Sequence, residues 1–336
     1  MLKTRLLLLP FLASLFSGFT SFDSYLGSST TITLNPAVTY QKYLGWGGFL
    51  SRWDTPHMYY GQGLGPPLQR VPAAAKEQIL NALFSELKLN SFTLSLRGGN
   101  MDPAYSNPPA NYRSHEPHND NANPALIREA GLSFSYWPPL LKTIKVAISR
   151  ITARRQKPLI FLRVSGQEDW MDRQQSNFPE EYAEWITSLL IYFRDKHSVQ
   201  IDYVSLVNEP DGIGRTTPDL LANMISALNQ QFKQYSLRTK VAAPETVSPR
   251  GAIEYLKVSE QQELISQLGL ITYHIYDYDP SQGEIPNLQL RRQLANFGKK
   301  YGIPLFMNEQ SSDVKKNRRD FWLNTSDQAK ALANDF

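Results

Sequence analysis

The chain has 336 residues, of which 41% are hydrophobic and only 20% charged. That is enough apolar content to bury a sizeable core, and it excludes a disordered chain. There is no cysteine, which excludes a disulfide framework, a thiolate zinc site, an iron–sulfur cluster and a cysteine nucleophile. The net charge of +4 falls to about +2 without Lys3 and Arg5, too weak for a nucleic-acid footprint.

Met1 to Arg5 is a basic start. Leu6 to Phe19 is apolar apart from Pro10, Ser14, Ser17 and Gly18, with small residues at Gly18 and Thr20. Residues 1–20 therefore read as a secretory signal peptide. A membrane anchor is the alternative, but the stretch is shorter than the roughly 20 apolar residues of a spanning helix. No other segment has the pattern of a stable membrane span, so the expected location is extracellular. One acceptor sequon, Asn324-Thr325-Ser326, fits secretion. A large single-core domain can dispense with disulfides outside the cell.

Beyond the signal, Thr30 to Leu34 alternates as a short strand, followed by a strand-like run over Tyr43 to Leu50. Gly45, Gly47 and Gly48 inside that run weaken it unless a backbone or ligand must come close. Helical periodicity over Ala73 to Leu87 places Ile79, Leu80, Leu83, Phe84 and Leu87 on one face. Ser91 to Leu96 is a strand ending at Arg97-Gly98-Gly99-Asn100, and Met101 to Pro124 is a long polar loop. Helices are then expected at Leu140–Ile151, Pro179–Asp195, Pro218–Gln234, Ile253–Gln267 and Leu288–Tyr301. The strands between and after them are Pro158–Val164, Ile201–Val207, Lys240–Ala243, Leu270–Ile275 and Pro304–Met307. A last helix begins at Ser326 and runs to Phe336.

Strands alternating with helices call for parallel βαβ units. A doubly wound sheet is one solution, but it announces itself with a Gly-rich phosphate turn. Gly45-Trp46-Gly47-Gly48 lacks the G-x-G-x-x-G spacing. Polar residues cluster instead at many strand ends: Arg97, Ser165, Asn208, Glu209, Glu245, His274, Tyr276, Asn308 and Glu309. Recruitment from several strand ends is how a (β/α)8 TIM barrel builds its site.

Val204-Ser205-Leu206-Val207-Asn208-Glu209-Pro210 carries an apolar strand straight into a carboxylate. Leu305-Phe306-Met307-Asn308-Glu309 repeats the pattern. Two carboxylates opening onto one catalytic face suit glycoside hydrolysis: one protonates the leaving oxygen, and the other is ionised to attack the anomeric carbon. A separation of about 5–5.5 Å implies retention and a wider gap inversion. Two ordinary strand-end glutamates bound by Lys or Arg are the structural alternative.

On these residues the chain resembles a known family. Asn208-Glu209-Pro210 is similar to the acid/base motif of clan A glycoside hydrolases at the end of barrel strand 4. Glu309 is similar to their nucleophile at the end of strand 7. More narrowly, the chain resembles glycoside hydrolase family 30, which includes glucosylceramidases, xylanases, β-1,6-glucanases and endo-β-1,6-galactanases. Ile32 to Pro36, Tyr40-Gln41, Gly45-Trp46-Gly47-Gly48 and Leu96-Arg97-Gly98-Gly99 stand in for other family features, over about residues 30–336. The resemblance implies a retaining, cofactor-free and metal-free enzyme with a carbohydrate substrate, Glu209 as acid/base and Glu309 as nucleophile. It makes Tyr276 a partner of the nucleophile and His274 a substrate contact, and it assigns Asn208 to a sugar 2-hydroxyl.

Thr272, His274 and Tyr276 share one strand face because side chains alternate. Arg97 is a candidate to orient the nucleophile by a charge-assisted bond. Trp46 and Trp170 are candidates to stack on sugar faces, ahead of Trp53 and Trp322. His115 and His118 have metal-like spacing but no further ligand pattern, so they read as loop residues. Lys315, Lys316, Arg318 and Arg319 form a basic cluster. Ser165-Gly166-Gln167-Glu168-Asp169-Trp170-Met171 departs from the family's usual Ser-Pro-Pro and Trp-Met run, with Arg163 and Glu168 unusual there.

The pattern yields seven barrel strands and no eighth. The expected organisation is a signal over 1–20, a strand segment of an otherwise absent β-sandwich over 21–40, and a TIM barrel over 41–336 truncated after its seventh strand. An open barrel exposes strand edges. A catalytically impaired glycan-binding remnant is therefore the alternative to an active enzyme.

Overall fold

The computed structural model describes residues 44–50, 72–96, 123–125, 137–167, 171–212, 214–276 and 284–309. The expected signal segment, the strand over Thr30 to Leu34, the sequon and the helix from Ser326 lie outside these residues. So does any continuation after the seventh strand. The chain divides into two compact units at Leu44, and every element below belongs to the unit Gly45–Phe336.

The elements alternate. Strand β1 (Gly47–Phe49) is followed by α1 (Ala73–Asn81), which runs on into a π-helical turn (Ala82–Glu86), and by β2 (Ser91–Leu96). Then come α2 (Trp137–Ala153), β3 (Leu159–Val164), α3 (Phe178–His197), β4 (Tyr203–Ser205), α4 (Pro218–Gln234) and β5 (Lys240–Thr246). The order ends with α5 (Pro249–Gln261), β6 (Leu268–His274), α6 (Glu284–Tyr301) and β7 (Leu305–Glu309). The strands form one seven-stranded sheet in the order β1-β2-β3-β4-β5-β6-β7, and each neighbouring pair is parallel.

The sheet is curled. The rings of Phe161 on β3 and Phe306 on β7 lie 6.0 Å apart, although four strand spacings would separate them by about 19 Å in a flat sheet. Phe161, Ala242 and Leu270 form an inner cluster against Tyr203 and Phe306. Alternate residues of the same strands, such as Ile160, Leu162 and Val164, belong to the larger outer core beneath the helices. Two apolar faces, one lumenal and one under helices, are the layout of a (β/α)8 barrel.

Helix starts follow local chemistry. Thr217 accepts from the Leu220 N–H at 3.2 Å, with Pro218 in the first turn of α4. Ser248 accepts from the Gly251 N–H at 3.1 Å, with Pro249 opening α5. These caps satisfy donors that a helix leaves unpaired. The helix expected over Ile253 to Gln267 therefore starts earlier and ends at Gln261. Glu263 then adopts a left-handed φ of 59°, and a short 3-10 turn over Ile265–Gln267 leads into β6. The run expected over Tyr43 to Leu50 contracts to Gly47–Phe49. A Cβ on Gly47 would sit 1.9 Å from the Ser91 carbonyl oxygen, so β1 and β2 approach closely only because this residue is glycine.

Candidate active site

The C-terminal ends of β3 to β7 bring together the side chains of Arg163, Glu209, Glu245, His274, Tyr276, Asn308 and Glu309. Glu209 lies just beyond β4, and its N–H donates to the Glu245 carbonyl at 3.0 Å. Its own carbonyl accepts from Gly212 at 2.9 Å and Gly214 at 2.8 Å. This tight turn holds Glu209 at a φ of 51°. Glu245 on β5 sits at a φ of 60°. Left-handed backbone at non-glycine residues is costly and concentrates at functional sites.

The turn is secured from the neighbouring loop. Arg173 donates to the Gly214 carbonyl at 2.5 Å, to the Arg215 carbonyl at 3.2 Å and to Thr216 Oγ1 at 3.2 Å. Arg173 also bonds Gln167. The loops after β3 and β4 are thus tied to each other beside Glu209. A Cβ on Gly214 would lie 2.5 Å from Val207 Cγ1 and under 3 Å from the carbonyl oxygens of Asn208 and Glu209.

The end of β6 and the residues just after it supply a partner to each glutamate. His274 Nδ1 lies 3.0 Å from Glu209 Oε1. Two residues on, the Tyr276 hydroxyl donates to Glu309 Oε1 at 2.8 Å. The two rings meet edge to face at 5.8 Å. Behind them, Arg163 on β3 forms an ion pair with Glu309. The guanidinium is 2% exposed, so the pair is desolvated. On the other side of His274, Nε2 faces Glu245 Oε1 at 3.7 Å. That same Oε1 accepts from the Asn308 amide at 2.7 Å.

The electrostatics follow from burial and charge. Burial alone would push the His274 imidazole down, but bonding to Glu209 and Glu245 overcomes it and raises the pKa. Arg163 opposes that rise as a like charge. Burial raises the Asp211 carboxyl, although the Val247 N–H that it accepts at 2.9 Å partly counters this. Burial also pushes the Tyr182 phenol up strongly; its hydroxyl bonds the carbonyls of Leu206 and Gly166 beneath the site.

Of the residues expected at the site, Glu209, Glu309, His274 and Tyr276 come together. Asn208 is buried beside them, and its Oδ1 has no hydrogen-bond partner among the described residues. Arg97, Trp170 and Glu168 lie outside the described residues. Trp46 is placed elsewhere. It precedes Gly47, which pairs with Ser91, and Ser91 pairs with Leu159 at the start of β3. Arg163 is four residues further along β3, about 13 Å up the strand. Trp46 therefore lies at the N-terminal end of the strands, away from the glutamates, because pairing starts after it rather than before it.

Two residues of the site were not read as site members from sequence. Glu245 appeared only among strand-end polar residues, and Arg163 only as a departure from a family pattern. The available signal was a lone charge inside an otherwise apolar, doubly buried strand, which requires a partner. Among the described residues, no group of three or more His, Asp or Glu side chains is arranged to hold a metal ion, and no helix is long and apolar enough to cross a membrane.

No protein-family model matches the chain, and no curated protein matches it in sequence. Solved structures match it in fold. The catalytic domain of GH30 xylanase C from Talaromyces cellulolyticus is 15% identical with a TM-score of 0.52, over 83% of this chain and 71% of that one. SrfJ from Salmonella typhimurium is 13% identical with a TM-score of 0.63, over 88% of this chain and 63% of that one. A conserved exported protein from Bacteroides fragilis is 13% identical with a TM-score of 0.60, over 90% of this chain and 68% of that one. The chain thus spans about two thirds of each, and at such identities the likeness is one of fold.

Proposed function

We propose that the chain is a secreted glycoside hydrolase of the family 30 type, acting on β-linked glycans or glycoconjugates with retention of configuration. One observation carries this reading: Glu209 is held by His274 at the end of β6 and Glu309 by Tyr276, two residues beyond it. The likeness in fold to a GH30 xylanase domain supports it.

In this reading the Glu309 carboxylate attacks the anomeric carbon while the bond to the leaving oxygen breaks. Glu209 gives its proton to that oxygen. Water then attacks the glycosyl ester, Glu209 takes its proton, and Glu309 is released. Arg163 and Tyr276 orient Glu309 and favour its ionised form. In this reading Asn208, next to Glu209 and with an Oδ1 unpartnered among the described residues, is assigned to the sugar 2-hydroxyl, a bond that strengthens in the transition state.

The test is hydrolysis of a panel of aryl β-glycosides by the full chain. Turnover that Glu309→Gln reduces on the order of a thousandfold or more, with the fold retained, supports the reading. Glycan binding without any turnover would replace it with the non-catalytic alternative.

A further inference from the structure

Glu245 is fully buried, and nothing in the proposed chemistry uses it. Its Oε2 has no hydrogen-bond partner among the described residues. Its Oε1 accepts from Asn308 and faces His274 Nε2 at 3.7 Å. His274 is also fully buried, and its other nitrogen lies 3.0 Å from Glu209 Oε1. An imidazole between two carboxylates satisfies both only when both of its nitrogens carry protons.

We propose that Glu245 is a positioning residue that keeps His274 in its imidazolium form behind Glu209. The inference rests on Glu209 being the proton donor of the proposed hydrolysis. One oxygen of Glu209 accepts from His274 Nδ1–H throughout, and the other carries the transferable proton. When that proton passes to the leaving oxygen as the glycosidic bond breaks, the carboxylate that forms is already paired with a fixed positive charge. Such preorganised charge stabilises a transition state without reorganisation. When water later gives its proton back to Glu209, His274 again retains both of its own. Glu245 never touches substrate in this scheme; its charge, desolvated at the C-terminal end of β5, offsets the cost of a buried imidazolium.

Other charges face the same ring. Arg163 on β3 opposes protonation of His274, and Asp211, beyond β4, is coupled to it as an opposite charge. The Tyr276 ring packs edge-on. Tyr182, on α3, is in turn coupled to Glu245. Glu209 and Glu245 are the two carboxylates that contact the imidazole.

The experiment is an NMR titration of histidine side chains in the full chain, with imidazole 15N labelling and His274 assigned by its absence in His274→Gln. The unaltered chain should show His274 protonated above the pH at which a free imidazole titrates. Glu245→Gln, an isosteric neutral change, should lower its midpoint by about one pH unit or more. Glu245→Asp, which keeps the charge, should retain most of the elevation. An unmoved midpoint in Glu245→Gln, or a His274 in the unaltered chain titrating at or below free imidazole, overturns the inference. The readout needs no turnover. Failure of the glycosidase reading appears as absence of hydrolysis with the midpoint shift intact, whereas failure of this inference appears as hydrolysis with the midpoint unmoved.

Discussion

The phenol of Tyr276 donates to Oε1 of Glu309 across 2.8 Å, so one of the two strand-end carboxylates is oriented from the strand beside it. The bond is to a charged acceptor, and such bonds contribute about 1.5–3 kcal/mol. Tyr276→Phe should therefore lower kcat/KM on an aryl β-glycoside by about ten- to a hundredfold. Tyr276 is 38% exposed, so thermal stability should change little. A variant with unchanged kcat/KM would remove Tyr276 from the mechanism.

Arg163 and Glu309 form a pair whose cationic partner is almost wholly buried. Removing one partner strands the other charge, at a cost of about 3–5 kcal/mol. Arg163→Met should lose that much in urea denaturation, and the double variant with Glu309→Gln should recover much of it. If the two single losses simply add, the pair is not coupled and its proposed orienting role falls.

Folding stability should depend on His274. Its pKa is raised in the folded chain, so its protonation favours the native state. This contribution is present in full below the unfolded value of about 6.5 and is lost as pH rises from there through the raised folded value. Urea midpoints should fall over that window, by up to about 1.4 kcal/mol per pH unit. In His274→Gln this decline should be absent. An equal decline in both proteins would assign the effect to other groups.

Gly214 closes the turn that carries Glu209. In Gly214→Ala the new methyl meets two backbone oxygens, those of Asn208 and Glu209, and Val207. The backbone must yield, and a displacement of about 1 Å at a reacting group costs on the order of a hundredfold in rate. The expected result is a loss of activity far larger than the loss of stability; an active Gly214→Ala would show that the turn tolerates movement.

Much of this arrangement was legible in the sequence, for identifiable reasons. Apolar runs ending in a charged residue marked β4 and β7, and alternation placed His274 and Tyr276 on one side of β6. The start of α4 falls at Pro218 as expected, whereas α5 starts at Pro249, four residues before the expected Ile253. Arg163 and Glu245 were not legible as site members. A charge within a strand says that a partner exists, not which one. Only the curl that brings β3 against β7, as Phe161 meets Phe306, and the register in which β5 pairs with β6 identify those partners. Trp46 was misplaced for a related reason, since periodicity sets the face of a strand but not the residue at which pairing begins.

The most direct test of the central claim is covalent trapping of the intact chain with activated 2-deoxy-2-fluoro β-glycosides, read by peptide mass spectrometry. The prediction is one glycosyl ester, on Glu309, formed in step with loss of hydrolysis and absent from Glu309→Gln. A label on a different carboxylate, or turnover that releases sugar of inverted configuration without any trapped ester, would contradict Glu309 as the nucleophile.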